Sequence, residues 1–399
     1  MVKPNLCGSD VARESENGRK LMRLKAIALC LMAGFCTSAF AQDSTHVLEQ
    51  ALKQIPQKAL TKPEAMQIFF LDTQAWRGLE KAGPSANGMR RLVLSQPIRS
   101  LESIGYGLDA WSKNAKISFD DLTYFAAFGQ APGNVTYWGL QNEQASQSLV
   151  KALKDTDFSD VDSDVSGLIA NGEANKLDFT KANAGNPWRG ATGATSFVLP
   201  LDAAVVQASS ASDMKILAQP TPSVADSEII ATAVDGLKSV IPSENGQIVQ
   251  AAIISPIFGL DGVDPAKILP SSPGDIEAAK QSFKDSVAEN SRGIPPYFAG
   301  FIADAQIDNA PAVVISLSYP DCSTAEQAVN GVVASWKETV AGTVEGDISG
   351  HAVQAGKLCA GVVSIVAPKA ETAANPILSD VMNRYLQRDF TVLQIGSSL

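Results

Sequence analysis

Leu122-Thr-Tyr-Phe-Ala-Ala-Phe128 and Asn134-Val-Thr-Tyr-Trp-Gly-Leu140, separated by a break that contains Gln130-Ala-Pro-Gly133, decide the fold class. Two short apolar runs either side of a Pro-Gly break read as a β-hairpin. Downstream, Asn142–Lys154 puts Ala145, Leu149, Ala152 and Leu153 on one helical face. Beyond an acidic link, Leu168–Phe179 carries Asn171-Gly172, the strongest short turn signal in the chain. Ser196–Leu199 and Ala203–Gln207 read as further strands. The order is hairpin, helix, hairpin.

The C-terminal part repeats it. Tyr297–Ile302 reads as a strand with Ala312–Ser318 as its hairpin partner. Ser323 and Glu326 form a capping box for a helix carrying Val329, Val332, Val333, Trp336 and Val340. Strands over Ile348–Gln354 and Leu358–Ala367 follow, with a turn at Ala355-Gly356. Tyr124-Phe-Ala-Ala-Phe128 of the first series corresponds to Tyr297-Phe-Ala-Gly-Phe301 of the second. The shared order of elements predicts an α+β protein of two similar modules, each an antiparallel sheet covered on one face by helices.

Upstream, from His46 to about Lys113, the pattern reads as mainly helical. Pro63 suits a helix start, with Ala65, Ile68, Phe69 and Leu71-Asp72 at helical spacing after it. A second helical stretch runs near Leu101–Trp111. Between the two series, Asp226–Val240 reads as a helix and Ile248–Ser255 as a strand, and Ser272-Pro273 opens a helix with Ile276, Ala279, Phe283 and Val287 on one stripe. A helix near Ile377–Leu386 and a strand over Thr391–Ile395 close the chain. The expected organisation is a leader over 1–41, a mainly helical region over 42–115, a first α+β module over 116–220, a mixed helical connector over 221–293 and a second α+β module over 294–399.

The leader reads as an export signal. Arg23 and Lys25 precede the apolar run Ala26–Phe35, and Ala39-Phe-Ala41 supplies the small residues of a cleavage site before Gln42, with Met22 as a plausible true start. The run is too short for a transmembrane span, which needs roughly 20 residues. The residues before Cys30 and Cys36 are Leu29 and Phe35, too large for lipoprotein processing. Loss of the leader takes the formal charge of the 399-residue chain from −10 to −13, because six basic and three acidic residues leave with it. Such an acidic body argues against nucleic-acid partners and against anionic lipid headgroups. The mature chain is expected to be soluble, with no transmembrane segment, in the periplasm or outside the cell.

Cleavage leaves two cysteines, Cys322 and Cys359, and an even pair in an oxidising compartment predicts a disulfide. Asp160, Asp162 and Asp164 lie in an acidic run, alternate carboxylates that can converge on a hard cation such as calcium. The run lacks the glycine and the glutamate of an EF-hand loop, so a solvated acidic loop is the plainer reading. Trp188 and Arg189, before the Gly-rich Gly190-Ala-Thr-Gly193, offer a surface for a sugar ring or a peptide, or else an ordinary turn anchored by one Trp. His351 is a lone strand histidine. Ser148–Lys151 and Ser212–Lys215 match S-x-x-K without the companion motifs of penicillin-recognising enzymes, and nucleophile-elbow, dinucleotide, P-loop and zinc signatures are missing. Arg384 and Arg388 sit one helical turn apart with Asp389 beside them. No cofactor is expected beyond that calcium site. The residues fit an exported protein that binds an envelope component or a small molecule without catalysis. The alternative is a secreted or periplasmic hydrolase whose carboxylates are assembled only by the fold.

Overall fold

The computed structural model describes residues 44–80, 83–130, 133–217, 219, 221–260, 277, 281 and 293–396. The leader Met22–Ala41 and the helix expected from Ser272 to Val287 lie outside the described residues, apart from two isolated helical positions of the latter.

The first half of the chain supplies helix α1 (His46–Gln54), strand β1 (Met66–Asp72), short helices α2 (Thr73–Gly78) and α3 (Ala86–Arg91), and α4 (Leu108–Ala115). The hairpin β2 (Leu122–Phe128) and β3 (Val135–Leu140) follows, then α5 (Glu143–Lys154), the two-residue strands β4 (Ser159–Asp160) and β5 (Ile169–Ala170), and the hairpin β6 (Phe197–Leu201) and β7 (Ala204–Ala208) with α6 (Ala211–Leu217) behind it. The second half supplies α7 (Glu228–Val240), β8 (Gly246–Ile254), the hairpin β9 (Gly300–Ile307) and β10 (Ala310–Tyr319), and α8 (Cys322–Thr339). The hairpin β11 (Asp347–Ala355) and β12 (Leu358–Val366) and α9 (Pro376–Leu386) complete it.

These strands form one twelve-stranded sheet in the order β11-β12-β10-β9-β8-β1-β2-β3-β7-β6-β5-β4. Every pairing is antiparallel. The protein is therefore α+β. Outward from the central β1–β8 pair, both sides share an inner strand, a hairpin, a helix and a hairpin whose second strand joins the sheet first, and the β1 side alone adds β5 and β4 at its edge. The sheet takes its two central strands from the stretches 42–115 and 221–293, which the sequence gives a helical or mixed character.

The largest difference from sequence expectation is β1. Met66–Asp72 is a strand with every interior residue buried, not the continuation of a helix begun at Pro63. A central strand covered on both faces reads as an unbroken apolar run, which has no periodicity to separate it from a buried helix. Helix α8 is capped by Asp321, whose carboxylate accepts from Thr324 N at 2.8 Å, so Ser323 lies inside the helix and the expected capping box is not used. Tyr297–Ala299 precede β9 rather than belonging to it, while Tyr124–Phe128 lie wholly in β2, so the two pentapeptides are not equivalent residue for residue. Thr391–Ile395 is a turn rather than a strand, making only the single bridge Ile395–Ile294. Asn171-Gly172 turns the chain but does not close a hairpin. Asn171 Oδ1 accepts from Ser196 N at 2.8 Å, and β5 pairs with β6 across the long intervening loop.

Alternation along β10 assigns the helix layers. Ser316 and Ser318 donate to the α7 carbonyls of Ala233 and Ile229, placing α7 on one face. Ile315 packs with Val381 and Tyr385 of α9 on the other. Gly236 lets α7 lie close to the sheet, since a Cβ there would strike Ser316, Ala360 and Val362. The α9 side also holds a buried polar knot across the halves. Asp304 of β9 accepts from Arg91 Nε (2.8 Å) and Nη2 (2.7 Å), Gln250 Nε2 (3.0 Å) and Asn375 Nδ2 (2.8 Å).

Cys322, the first residue of α8, is bonded to Cys359 of β12, with Cα atoms 5.0 Å apart. A cross-link over 37 residues stabilises the fold by about 3–4 kcal/mol through the entropy it removes from the unfolded chain. It fixes α8 to the strand that α8 covers.

Candidate ligand-binding groove

The residues singled out in the sequence go to separate places. Asp160 pairs with Lys154 at 2.6 Å and Asp164 with Lys215 at 2.8 Å, both on exposed surface. Two of the three carboxylates thus meet separate lysines, and no cluster of three or more His, Cys, Asp or Glu able to hold a metal exists among the described residues. Lys215 is also the lysine of one S-x-x-K match, so it is engaged by a carboxylate rather than by Ser212.

Trp188 belongs to the core. Its ring stacks on Trp138 at 4.2 Å and 8°, Phe158 meets its face edge-on at 5.9 Å, and its Nε1 donates to Ala115 O at 3.1 Å. It is 2% exposed and has no face left for a sugar. Arg189 is also buried; its guanidinium pairs with Asp157 and donates to the Asn171 carbonyl. A cleft of about 370 Å³ opens beside it, but the charges there answer one another: Lys176 pairs with Glu173 at 3.0 Å and Lys181 with Asp157 at 3.4 Å. Arg384 does bond Asp389 (2.8 Å) and also Asp380 (2.7 Å), whereas Arg388 takes no part in that cluster.

A serine–histidine contact does occur, between Ser239 Oγ of α7 and His351 Nε2 of β11 at 3.1 Å. Ser239 Oγ donates to Gly236 O at 2.7 Å, so its proton is committed and the imidazole acts as donor. That polarity is the reverse of general-base activation.

The hydrolase alternative asks for two carboxyls with raised pKa values. Among the described residues Asp72 is the one carboxyl raised, pushed up to about 6 by burial against the opposing pull of the Ala75 and Gln74 backbone N–H groups. It is the N-cap of α2, accepting from Gln74 N (2.9 Å) and Ala75 N (2.8 Å). Its native pKa lies above the unfolded value of about 3.9, so its charge costs stability above pH 6, and the cost disappears as pH falls toward 4. Asp72→Asn keeps the acceptor and removes the charge. It is expected to exceed the parent in stability by about 1–3 kcal/mol at pH 7–8, with the difference closing by pH 4 in denaturant unfolding across that range.

The site with a distinct chemistry is a groove of about 670 Å³ on the α9 side of the sheet. Its floor includes Phe69 of β1, whose neighbours across the sheet are Ala127 and Ala252, small side chains that leave a trough beside the ring. Met66, three residues before Phe69, reaches the same groove because the register against β8 shifts between Met66 and Ile68. One wall is the turn that follows α3, with Val93, Leu94 and Pro97. Met382, Tyr385 and Leu386 of α9 form the opposing wall, and Tyr385 is held by Phe258, stacked on it at 4.5 Å and 4°. Leu177, Thr192 and Ala194 of the loop after β5 close the remaining side. Leu386 is 71% exposed and Leu177 50%, an unusual exposure for leucine, and Phe179, two residues on, is 71% exposed. Exposed apolar groups gathered at one opening mark a binding surface more than scattered ones do.

Arg99 is the cation that lines this groove among the described residues. It is half-buried, and its Nη2 reaches the Arg189 carbonyl at 3.5 Å. Burial lowers its pKa and nearby Glu102 raises it. Sequence reasoning missed this groove because its residues come from five distant segments.

No protein-family model matches the chain, and no curated protein does. Among solved structures, crystal form I of TP0453 is similar over 83% of this chain and 98% of its own, at 9% identity and a TM-score of 0.33. Crystal form IV of TP0453 covers 82% and 96%, at 10% identity and a TM-score of 0.29. Likeness at these values decides nothing about fold or function.

Proposed function

We propose that the protein is an exported, non-catalytic binding protein whose ligand occupies the groove between the two halves of the sheet. The observation that carries this reading is the groove itself: apolar walls from both halves, a volume in the range of ligand pockets (about 300–1,000 Å³), and exposed leucines at its mouth. The two halves, with their matching strand order, act as two modules, and the ligand sits where they meet. Export is supported by the leader over Met22–Ala41 and by the disulfide, which suits an oxidising compartment. No helix of the described residues is long and apolar enough to cross a membrane.

The test is titration with N-phenyl-1-naphthylamine, a neutral apolar probe that fluoresces on leaving water. Saturable binding at one site per chain is expected, lost in a Met382→Asp, Leu386→Asp variant that retains the parent's circular dichroism. No saturable binding by the parent, or binding unchanged in the variant, overturns the groove as the site.

A further inference from the structure

We infer that the groove takes a long-chain monocarboxylate, a free fatty acid, with its carboxylate on Arg99 and its chain along Phe69 toward α9. This rests on the binding reading above and names the ligand class. Two independent features support it.

The first is the unanswered charge. The Arg99 guanidinium is half-buried, its one hydrogen bond is a long one to a carbonyl, and among the described residues no carboxylate lies within 4 Å of it. Removing a cation from water without a counter-charge is costly, and a guanidinium left so presents a planar pair of donors that matches a carboxylate. Lys62 adds a second positive charge nearby, above the Phe128 ring at 6.0 Å and beside Gly129, which lines the groove. Glu64 and Glu102 also line it. Glu102 is exposed, so water screens its attraction for Arg99, which is half-buried.

The second is the apolar wall opposite Arg99's segment. Arg99, Gln130 and Asn134 come from the turn after α3, which also brings Val93, Leu94 and Pro97, and from the β2–β3 connection, whereas the α9 wall is Met382, Tyr385 and Leu386. A ligand charged at one end and aliphatic along its length fits that division. The volume encloses one chain rather than a two-chain lipid with its headgroup.

Displacement of bound N-phenyl-1-naphthylamine by decanoate, dodecanoate, tetradecanoate and 1-dodecanol tests it, below their aggregation limits. Affinity is expected to rise about fourfold per added methylene until the groove is full. Dodecanoate should bind about tenfold more tightly than 1-dodecanol. Arg99→Met or Arg99→Gln, either one folded by circular dichroism, should remove that preference and leave 1-dodecanol within about twofold of its parent affinity. If 1-dodecanol binds the parent as tightly as dodecanoate, or either variant keeps the preference, the carboxylate assignment is wrong while the groove remains a binding site. If the naphthylamine itself does not bind, the reading beneath it has failed instead. The acid–alcohol comparison on the parent needs no variant.

Discussion

Asp304→Ala lowers the free energy of unfolding by about 3–5 kcal/mol, a large share of the roughly 5–15 kcal/mol that holds an ordinary domain together. The loss is not that of a salt bridge counted in isolation. Asp304 and Arg91 are both fully buried, so deleting the carboxylate strands a guanidinium that keeps only neutral acceptors: Ala373 O at 3.0 Å, Ala305 O at 3.2 Å and the Gln306 side-chain oxygen at 2.8 Å. The other two donors to Asp304 are better provided for. Gln250 Nε2 also donates to the Arg91 carbonyl, and Asn375 Nδ2 to Ala312 O at 2.9 Å. Removing both charges therefore leaves few orphaned groups, and Arg91→Met with Asp304→Leu is expected to recover most of the stability. Urea unfolding of the parent, Asp304→Ala and the double variant checks this. A double variant as unstable as the single one would mean that shape at this position, rather than charge, is what matters.

Trp188→Ala should cost about as much, 3–5 kcal/mol, because it removes a fully packed ring from one end of an aromatic stack. Trp188 lies on Trp138, Trp138 on Trp111 (5.3 Å), and Trp111 meets Phe119 and Phe125 edge-on. The truncation also leaves the Ala115 carbonyl without the indole donor. Trp188→Phe keeps a ring in the stack and should cost no more than about 2 kcal/mol. Naphthylamine binding should be the same in Trp188→Phe as in the parent, since this ring does not line the groove. A change in ligand affinity with no change in unfolding free energy would return Trp188 to the binding role its sequence context suggested.

Local chemistry was legible in the sequence wherever a local rule governs. The hairpins at 122–140 and 348–367, helix α5 and helix α9 follow from runs, turns and stripes within a few residues of one another. The disulfide followed from counting cysteines. Strand β1 was not legible, because a run buried on both faces has no exposed side to give it a period. The break at Asn171 was misleading, since its amide is spent on Ser196 rather than on a two-residue turn. Trp188 could not be told from a surface aromatic because its partners, Trp138 and Phe158, are placed by the sheet and not by spacing. The groove was invisible for the same reason. Arg99 becomes notable only when its surroundings show that no carboxylate is bonded to it among the described residues.

The central β1–β8 pairing also shapes how the chain reaches its native state. The strands of each half lie together in sequence, so each half can assemble from its own contacts, but this one seam joins residues far apart in the chain and must pay a large closure cost before it is rewarded. Until it forms, an assembling molecule carries a bare, strongly apolar strand border on each half, β1 on one and β8 on the other. Because the two borders are complementary, the misassembly this topology favours at high concentration is an exchange in which the first half of one molecule zips onto the second half of another.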